Sequence, residues 1–306
     1  MLKNLAYEMH KPARKTFKRR RTKVLGIGDL IQADLVEMQP YAKENKGYKY
    51  MLTMIDCFSK KAWAVPVKDK TAKSVTAAVK SVLPKKVKNF QTDQGKEFFN
   101  KEFKQFTDER GINHYHSYSH LKSSIIERFN KTLKNWMYRE FSAQGNYKWL
   151  DILPKLIKKY NNKVHRSIGM KPNQVNATNS SVVYEKLMKP LEKTKRPKYK
   201  VGDKVRISKY KHIFEKGYKP SWTAEVFTIY KVKDTTPITY ILKDERDEII
   251  KGGFYEQELL TTKYPDVYLV EKVIRRKGDK LLVKWLGYDK SHNSWIDSKD
   301  VFKKNL

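Results

Sequence analysis

VKNFQTDQGKEFFNKEFKQFTDERGINHYH, residues 87–116, reads as a strand, a helix and a second strand. Residues 87–92 form a short β-type run that leads into Asp93. Phe99, Phe103 and Phe106 recur on one side of the helix that follows, and residues 112–116 return to strand character. Upstream, residues 30–36, 48–56 and 62–67 are further β-type runs. Turn-rich segments such as KENKG separate them, so three antiparallel strands are expected. Residues 71–83 place Val75, Ala78, Val79 and Val82 at helical spacing, and a long helix is expected from residue 123 to about residue 141. The resulting order, βββαβαβα, suits a mixed sheet flanked by helices.

Three acids stand out in this frame: Asp34 in IQADLV, Asp93 in FQTDQGKEFF and Glu127 in SSIIERFNKTLK. Each lies on a strand, at a strand end or on a helix beside apolar neighbours. An ionised carboxylate is costly there unless a cation compensates it, and a metal ion is expected in that role. At about 100° per residue, Glu127, Lys131, Lys134 and Tyr138 share one stripe of the long helix. Ile125, Phe129, Leu133 and Trp136 occupy the opposite face. Burial of that apolar face would present Glu127 and two lysines to a ligand; the alternative is a surface ion pair between Glu127 and Lys131.

Composition narrows the ligand. Sixty-six Lys and Arg against 33 Asp and Glu give a net charge of +33, which draws polyanions, so nucleic acid is the expected partner. Hydrophobic content of 39% in 306 residues supports two or three packed domains. The single cysteine, Cys57, excludes an internal disulfide and fits a reducing compartment. No apolar run has the length of a membrane span, and the start, MLKNLAYEMHK, has no signal-type apolar region. No membrane partner is expected.

Residues 11–23, KPARKTFKRRRTK, carry eight positive charges and no negative one. This basic arm reads as a nuclear import signal, a DNA-tracking segment using Arg14, Lys18, Arg19, Arg20 and Arg21, both of these, or a solvated charge run. After a helix over residues 149–162 and the turn VHRSIGMKPNQV, the composition becomes polar and then basic. From residue 199, alternating β-type runs joined by Gly or Asp turns predict a small all-β barrel, and the runs VYLVEKVIRR and KLLVKWLGY predict a hairpin followed by a turn and a terminal helix. Asp56 is read as a turn residue or as a support behind the metal ligands. His114, His116 and His120 invite a zinc reading but lack an evident fourth ligand, so a position near the acids is preferred.

The segments QADLV, MLTMIDCFSKKAWAVPV, TDQGKEF, SSIIERFNKTLK and YNNKVHRSIGMKP resemble the core of retroviral-type integrases and DDE transposases. The resemblance spans roughly residues 25–178. Thirty-three residues separate Asp93 from Glu127, slightly fewer than in the D,D-35-E pattern of the retroviral enzymes. Among such enzymes the chain most resembles those of Maverick/Polinton transposons, with chromodomain-bearing retrotransposon integrases the near alternative.

The resemblance implies a multidomain protein: a basic arm (1–24), an α/β RNase H-like catalytic core (25–178), a helical and basic linker (179–198), an all-β SH3-like barrel (199–262) and a chromodomain-like β+α module (263–306). It implies that Asp34, Asp93 and Glu127 are catalytic metal ligands for two Mg²⁺ ions, with Mn²⁺ as a substitute, and that Lys131 and Lys134 contact DNA ends. His165 and Arg166 match the family's HRS element, as structural or DNA-facing residues. In residues 267–302, Tyr268, Trp285 and Tyr288 match a chromodomain's methyl-lysine cage, with a packing role as the alternative. His292 stands where histone-reading chromodomains often carry an acid.

The implied activity is 3′-end processing and strand transfer of mobile-element DNA into target DNA, in the nucleus. The implied partners are double-stranded DNA, further copies of the chain on that DNA, and a histone tail or other chromatin protein. An inactive DNA- or chromatin-binding derivative and an RNase H-like nuclease are the alternatives.

Overall fold

The computed structural model describes residues 2–14, 16–116, 124–188, 196–209 and 219–300. The chain divides into two compact units, residues 21–190 and residues 1–20 with 191–306.

The chain opens on α1 (Leu2–His10) in the second unit. The first unit holds β1 (Leu30–Glu37), β2 (Tyr50–Asp56), β3 (Ala62–Val67), α2 (Ala72–Val82), β4 (Asn89–Thr92), α3 (Lys101–Glu109), β5 (Asn113–His116), α4 (Ser124–Gln144), α5 (Leu153–Asn161) and α6 (Ser180–Leu187). Its five strands form one mixed sheet in the order β3-β2-β1-β4-β5. The first three strands are antiparallel, whereas β4 and β5 join in parallel through helical crossovers. The βββαβαβα order is thus realised.

Helices cover both faces of the sheet because its strands are apolar on both sides. On one face, Ile31, Ala33, Leu52 and Met54 pack with Val75 and Val79 of α2 and with Phe103 and Phe106 of α3. On the other, Val36, Met51 and Ile55 pack against Ile126, Phe129, Leu133, Met137 and Phe141 of α4. Each fully buried side chain of this size contributes about 1.5–3 kcal/mol. Helix starts follow side-chain chemistry: Thr71 caps α2 by accepting from the Ser74 amide, and Asn100 caps α3 by accepting from Phe103.

Three sequence expectations shift. Phe99 precedes the Asn100 cap, so it lies outside α3, is exposed and stacks on His114 at 4.5 Å. The buried stripe of α4 runs through Ile126 and Met137, with Ile125 and Trp136 only partly covered. Trp149 is fully buried but lies ahead of α5, where the Asn45 side chain accepts its amide.

In the second unit, β6 (Lys204–Ile207), β7 (Phe227–Lys233), β8 (Thr239–Lys243), β9 (Phe254–Tyr255) and β10 (Leu259–Thr261) form an antiparallel sheet in the order β10-β6-β7-β8-β9. Val205, Ile229, Tyr240, Leu242 and Tyr199 build its core. The predicted hairpin is present as β11 (Val270–Lys277) and β12 (Lys280–Trp285), to which β13 (Ser294–Asp297) adds. SWID is therefore a strand, contrary to the turn and terminal helix expected there: Ile296 pairs with Leu281 and Trp295 with Leu282 on the pleated surface. Among the described residues only a 3₁₀ turn, Ser298–Asp300, follows; residues 301–306 lie outside them.

Helix α1 docks on the five-stranded sheet of this unit through buried Leu5, Glu8 and Met9. The Met9 carbonyl accepts from the amides of Ser221 and Trp222, and the Lys11 carbonyl accepts from the Trp222 indole. Further along the basic segment, the Tyr255 hydroxyl accepts from the Arg20 amide while its ring meets Phe17. Arg19 lies 4.1 Å above the Phe17 ring. Among the described residues, no helix is long and apolar enough to cross a membrane.

Candidate active site

Strand periodicity aims the first acid. Ile31 and Ala33 face α2 and α3, so Gln32, Asp34 and Val36 face α4. Strands β1 and β4 are parallel with Gln32 opposite Gln91. Two residues further on, Asp34 on β1 and Asp93 just past the end of β4 come to the same end of the sheet. Their charges interact: burial first, and then the negative charge of Asp93, push the Asp34 carboxyl above the usual carboxylate range. The Leu35 amide, the Lys134 charge and the Asn130 amide pull in the opposite direction.

Two polar side chains that sequence pattern alone did not mark position this site. Asn130 is buried on α4 and donates from Nδ2 to Asp34 Oδ2 at 2.7 Å, while its own Oδ1 has no hydrogen-bond partner. Gln32 is 2% exposed, accepts from the Ile126 amide through Oε1 at 3.1 Å and donates from Nε2 to Gln91 Oε1 at 2.9 Å. It therefore pins the first turn of α4 to the two strands that bear the acids. The available signal was a polar residue at a core position in each apolar run.

Glu127 sits in that first turn, exposed, on the stripe shared with exposed Lys131, Lys134 and Tyr138. The structure brings Asp34 and Asp93 together, with Asn130 and the charge of Lys134 beside them. Among the described residues, no group of three or more His, Cys, Asp or Glu side chains gathers closely enough to hold a metal ion. The donor chemistry nevertheless fits a hard divalent cation: all three acids offer oxygen, and Asp34 is held up by burial and a like charge that a cation relieves.

Neighbouring polar groups serve the scaffold. Asp56 accepts from the Phe58 amide at 3.1 Å and the Ser59 hydroxyl at 2.6 Å, which makes it a turn residue. His114 lies 3.0 Å from the Thr92 hydroxyl, and burial, then His116, depress its imidazole to about 4. His116 contacts Gln94 at 3.1 Å, so both imidazoles flank the Asp93 turn; His120 lies outside the described residues. His165 closes the HRS turn by bridging to Met170 and is driven to about 4, chiefly by burial. Tyr268, Trp285 and Tyr288 do converge, with ring centroids 5.8 and 5.9 Å from Tyr268.

The model of the integrase core domain family matches residues 27–120, the stretch that holds Asp34 and Asp93. An uncharacterized transposon-derived protein of Caenorhabditis elegans is 31% identical over 226 residues, covering 73% of this chain and 76% of that protein. The chain belongs to the retroviral-type DDE integrase family. A Pol polyprotein of Radiation murine leukemia virus (strain Kaplan) is 30% identical over 128 residues, 40% of this chain and 22% of the polyprotein. Similarity of fold extends further than this family's core. A chain of the simian T-cell lymphotropic virus intasome, solved with PP2A regulatory subunit B56 gamma, aligns at a TM-score of 0.57 and 14% identity, covering 81% of this chain and 84% of that one.

Proposed function

We propose that this family member joins the ends of a mobile DNA element to target DNA by metal-dependent strand transfer, with Asp34, Asp93 and Glu127 as its catalytic acids. The observation that carries this reading is the Asp34–Asp93 pair. An acid on β1 and one just past the end of β4, its parallel neighbour, meet at one sheet end, the first of them pushed up by burial and by its partner. Such pairing costs stability and persists where it serves chemistry.

A divalent cation at these acids, Mg²⁺ by expectation, would supply charge neutralisation and Lewis-acid polarisation at phosphate. The chain's own residues do the remainder. Asn130 fixes the rotamer of Asp34, Gln32 anchors the turn that carries Glu127, and Lys131 and Lys134 offer cationic heads to the phosphates of the DNA end. Water first cleaves a phosphodiester and leaves a free 3′-hydroxyl. That oxygen then attacks a target phosphodiester, forming one P–O bond as another breaks, so neither ATP nor a covalent protein intermediate is required.

The similar proteins support the setting: one relative is transposon-derived, and a chain of similar fold is part of an intasome. We read the five-stranded sheet of the second unit as the SH3-like barrel and the β11–β13 sheet as the chromodomain-like module, with the whole acting as an oligomer on DNA in the nucleus.

Removal of the Asn130 amide tests the local geometry. Asn130→Leu is expected to slow joining by about 10–100-fold, the usual cost of losing a group that orients a metal ligand, with DNA affinity maintained. An unchanged joining rate would detach Asn130 from the site. The charge excess makes a separate prediction. Replacing Arg14, Lys18, Arg19, Arg20 and Arg21 by Gln should reduce the slope of log affinity against log salt by about 0.9 for each phosphate that is no longer neutralised. An unaltered slope would leave these residues with a localisation or surface role.

The function itself is tested by incubating the full chain with duplex element ends, a plasmid and Mg²⁺. Covalently joined products support transfer. Nicks alone would favour the nuclease reading, and binding without either product would favour the inactive derivative.

A further inference from the structure

The aromatic trio of the C-terminal sheet opens on a cavity of about 260 Å³ lined by Glu245, Tyr268, Trp285, Tyr288, His292 and Ser294. Five of these residues belong to the C-terminal segment. Glu245 comes from the five-stranded sheet, on the turn after β8. That turn is built to hold it: Asp244 Oδ1 accepts from the amides of Arg246 at 2.8 Å and Glu248 at 2.9 Å. The same turn reaches the C-terminal segment twice, through Arg246 donating to the Ser291 hydroxyl at 2.8 Å and through Glu245 Oε1, 3.2 Å from His292 Nε2. His292 Nδ1 in turn lies 2.9 Å from Asp289 Oδ1, so the imidazole bridges two carboxylates and fixes one of them at the cavity.

The walls suit one kind of guest. Tyr268 is inclined at 60° to both Trp285 and Tyr288, and all three rings line the cavity. Trp285 is locked by its indole N–H donating to Ser294 Oγ at 2.9 Å. The Glu245 charge is felt by the phenols of both tyrosines. A methylated ammonium carries a charge for the carboxylate and apolar methyl groups for the rings. An unmodified ammonium would bring three N–H donors that water satisfies better than these walls do.

We propose that Glu245 supplies the anionic wall of a methylated-lysine site whose aromatic walls come from the C-terminal segment, so that the two sheets form the site together. The acid missing at position 292 is thereby furnished by another module, and His292 becomes the residue that holds it. This goes beyond the DNA-joining reading and does not depend on it.

The test uses the full chain and two short alanine–glycine peptides, one with a trimethyl-lysine and one with an unmodified lysine, titrated by calorimetry. The wild-type chain is expected to prefer the trimethylated peptide by about tenfold or more, and Trp285→Ala should erase that preference. Glu245→Gln, an isosteric change on an exposed turn, should weaken the trimethylated peptide by about tenfold and the unmodified one far less, while Glu245→Asp retains part of the preference. Equal wild-type affinity for both peptides would overturn the methylammonium site altogether. A wild-type preference that Glu245→Gln leaves intact would overturn the role of Glu245 and assign the site to the C-terminal segment alone.

Discussion

Asp34→Asn, Asp93→Asn and Glu127→Gln are each expected to lower DNA joining by on the order of 10³-fold or more while DNA affinity stays close to wild type. Each change preserves side-chain volume and removes one anionic oxygen donor. The core should tolerate Asp34→Asn well, because the substitution also removes a half-buried charge whose carboxyl is pushed up by its surroundings. The Asp34→Asn variant should therefore be at least as stable as wild type while being inactive, a combination that a purely structural acid would not produce. The double variant Asp34→Asn with Asp93→Asn should be no slower than either single one, since groups that act as a unit are not additive. Gel-based joining and thermal unfolding read both quantities. Substantial joining by any single variant would remove that acid from the site.

A large effect on stability is expected in the other unit. Glu8 and Arg206 form an ion pair at 3.0 Å in which both side chains are almost completely buried. Burial, the largest influence on Glu8, works against its charge. It is outweighed by hydrogen bonds from the Lys263 amide, Thr262 and Arg206, and the carboxyl ends below the usual range. Glu8→Ala leaves the guanidinium buried without its anion and should destabilise the unit of residues 1–20 and 191–306 by about 3–5 kcal/mol. The sign with pH follows from the lowered value. The stabilisation is complete above the ordinary glutamate range, about 4.3, and is lost as pH falls through the folded value. Urea unfolding should thus separate wild type from Glu8→Ala widely at pH 7 and much less at pH 3. An equal gap at both values would show that the pair's charge is not what stabilises the docked helix. Deletion of residues 1–23 would remove this anchor together with the basic charge, so charge is better tested by the arginine and lysine substitutions.

The core was legible because its physics is local. Alternating strands, a capped helix at Thr71 and the run into Asp93 all state their structure within a few residues, and the sheet followed. The pairing of Asp34 with Asp93 was less local, since it depends on a parallel register across 59 residues, that of Gln32 with Gln91. The roles of Asn130 and Gln32 are not legible in the sequence because an isolated polar residue in an apolar run declares its role only when its partner is known. For α4, a shift of about 100° in which face is buried moved Ile126 inward in place of Ile125, a difference that periodicity alone does not resolve. The docking of α1 was invisible for a similar reason: Glu8 meets Arg206 across 198 positions. The cavity beside Tyr268, Trp285 and Tyr288 was illegible for the same reason: Glu245, from the turn after β8, lines it together with residues further along the chain.

Whether the three acids hold metal is read by counting bound Mn²⁺ with electron paramagnetic resonance on the full chain and a duplex DNA end, for wild type and for the three acid variants. About two ions per active site are expected in the wild-type complex, with loss of at least one in each of Asp34→Asn, Asp93→Asn and Glu127→Gln while DNA stays bound. Identical Mn²⁺ occupancy in wild type and in Asp34→Asn would contradict a metal site at these acids.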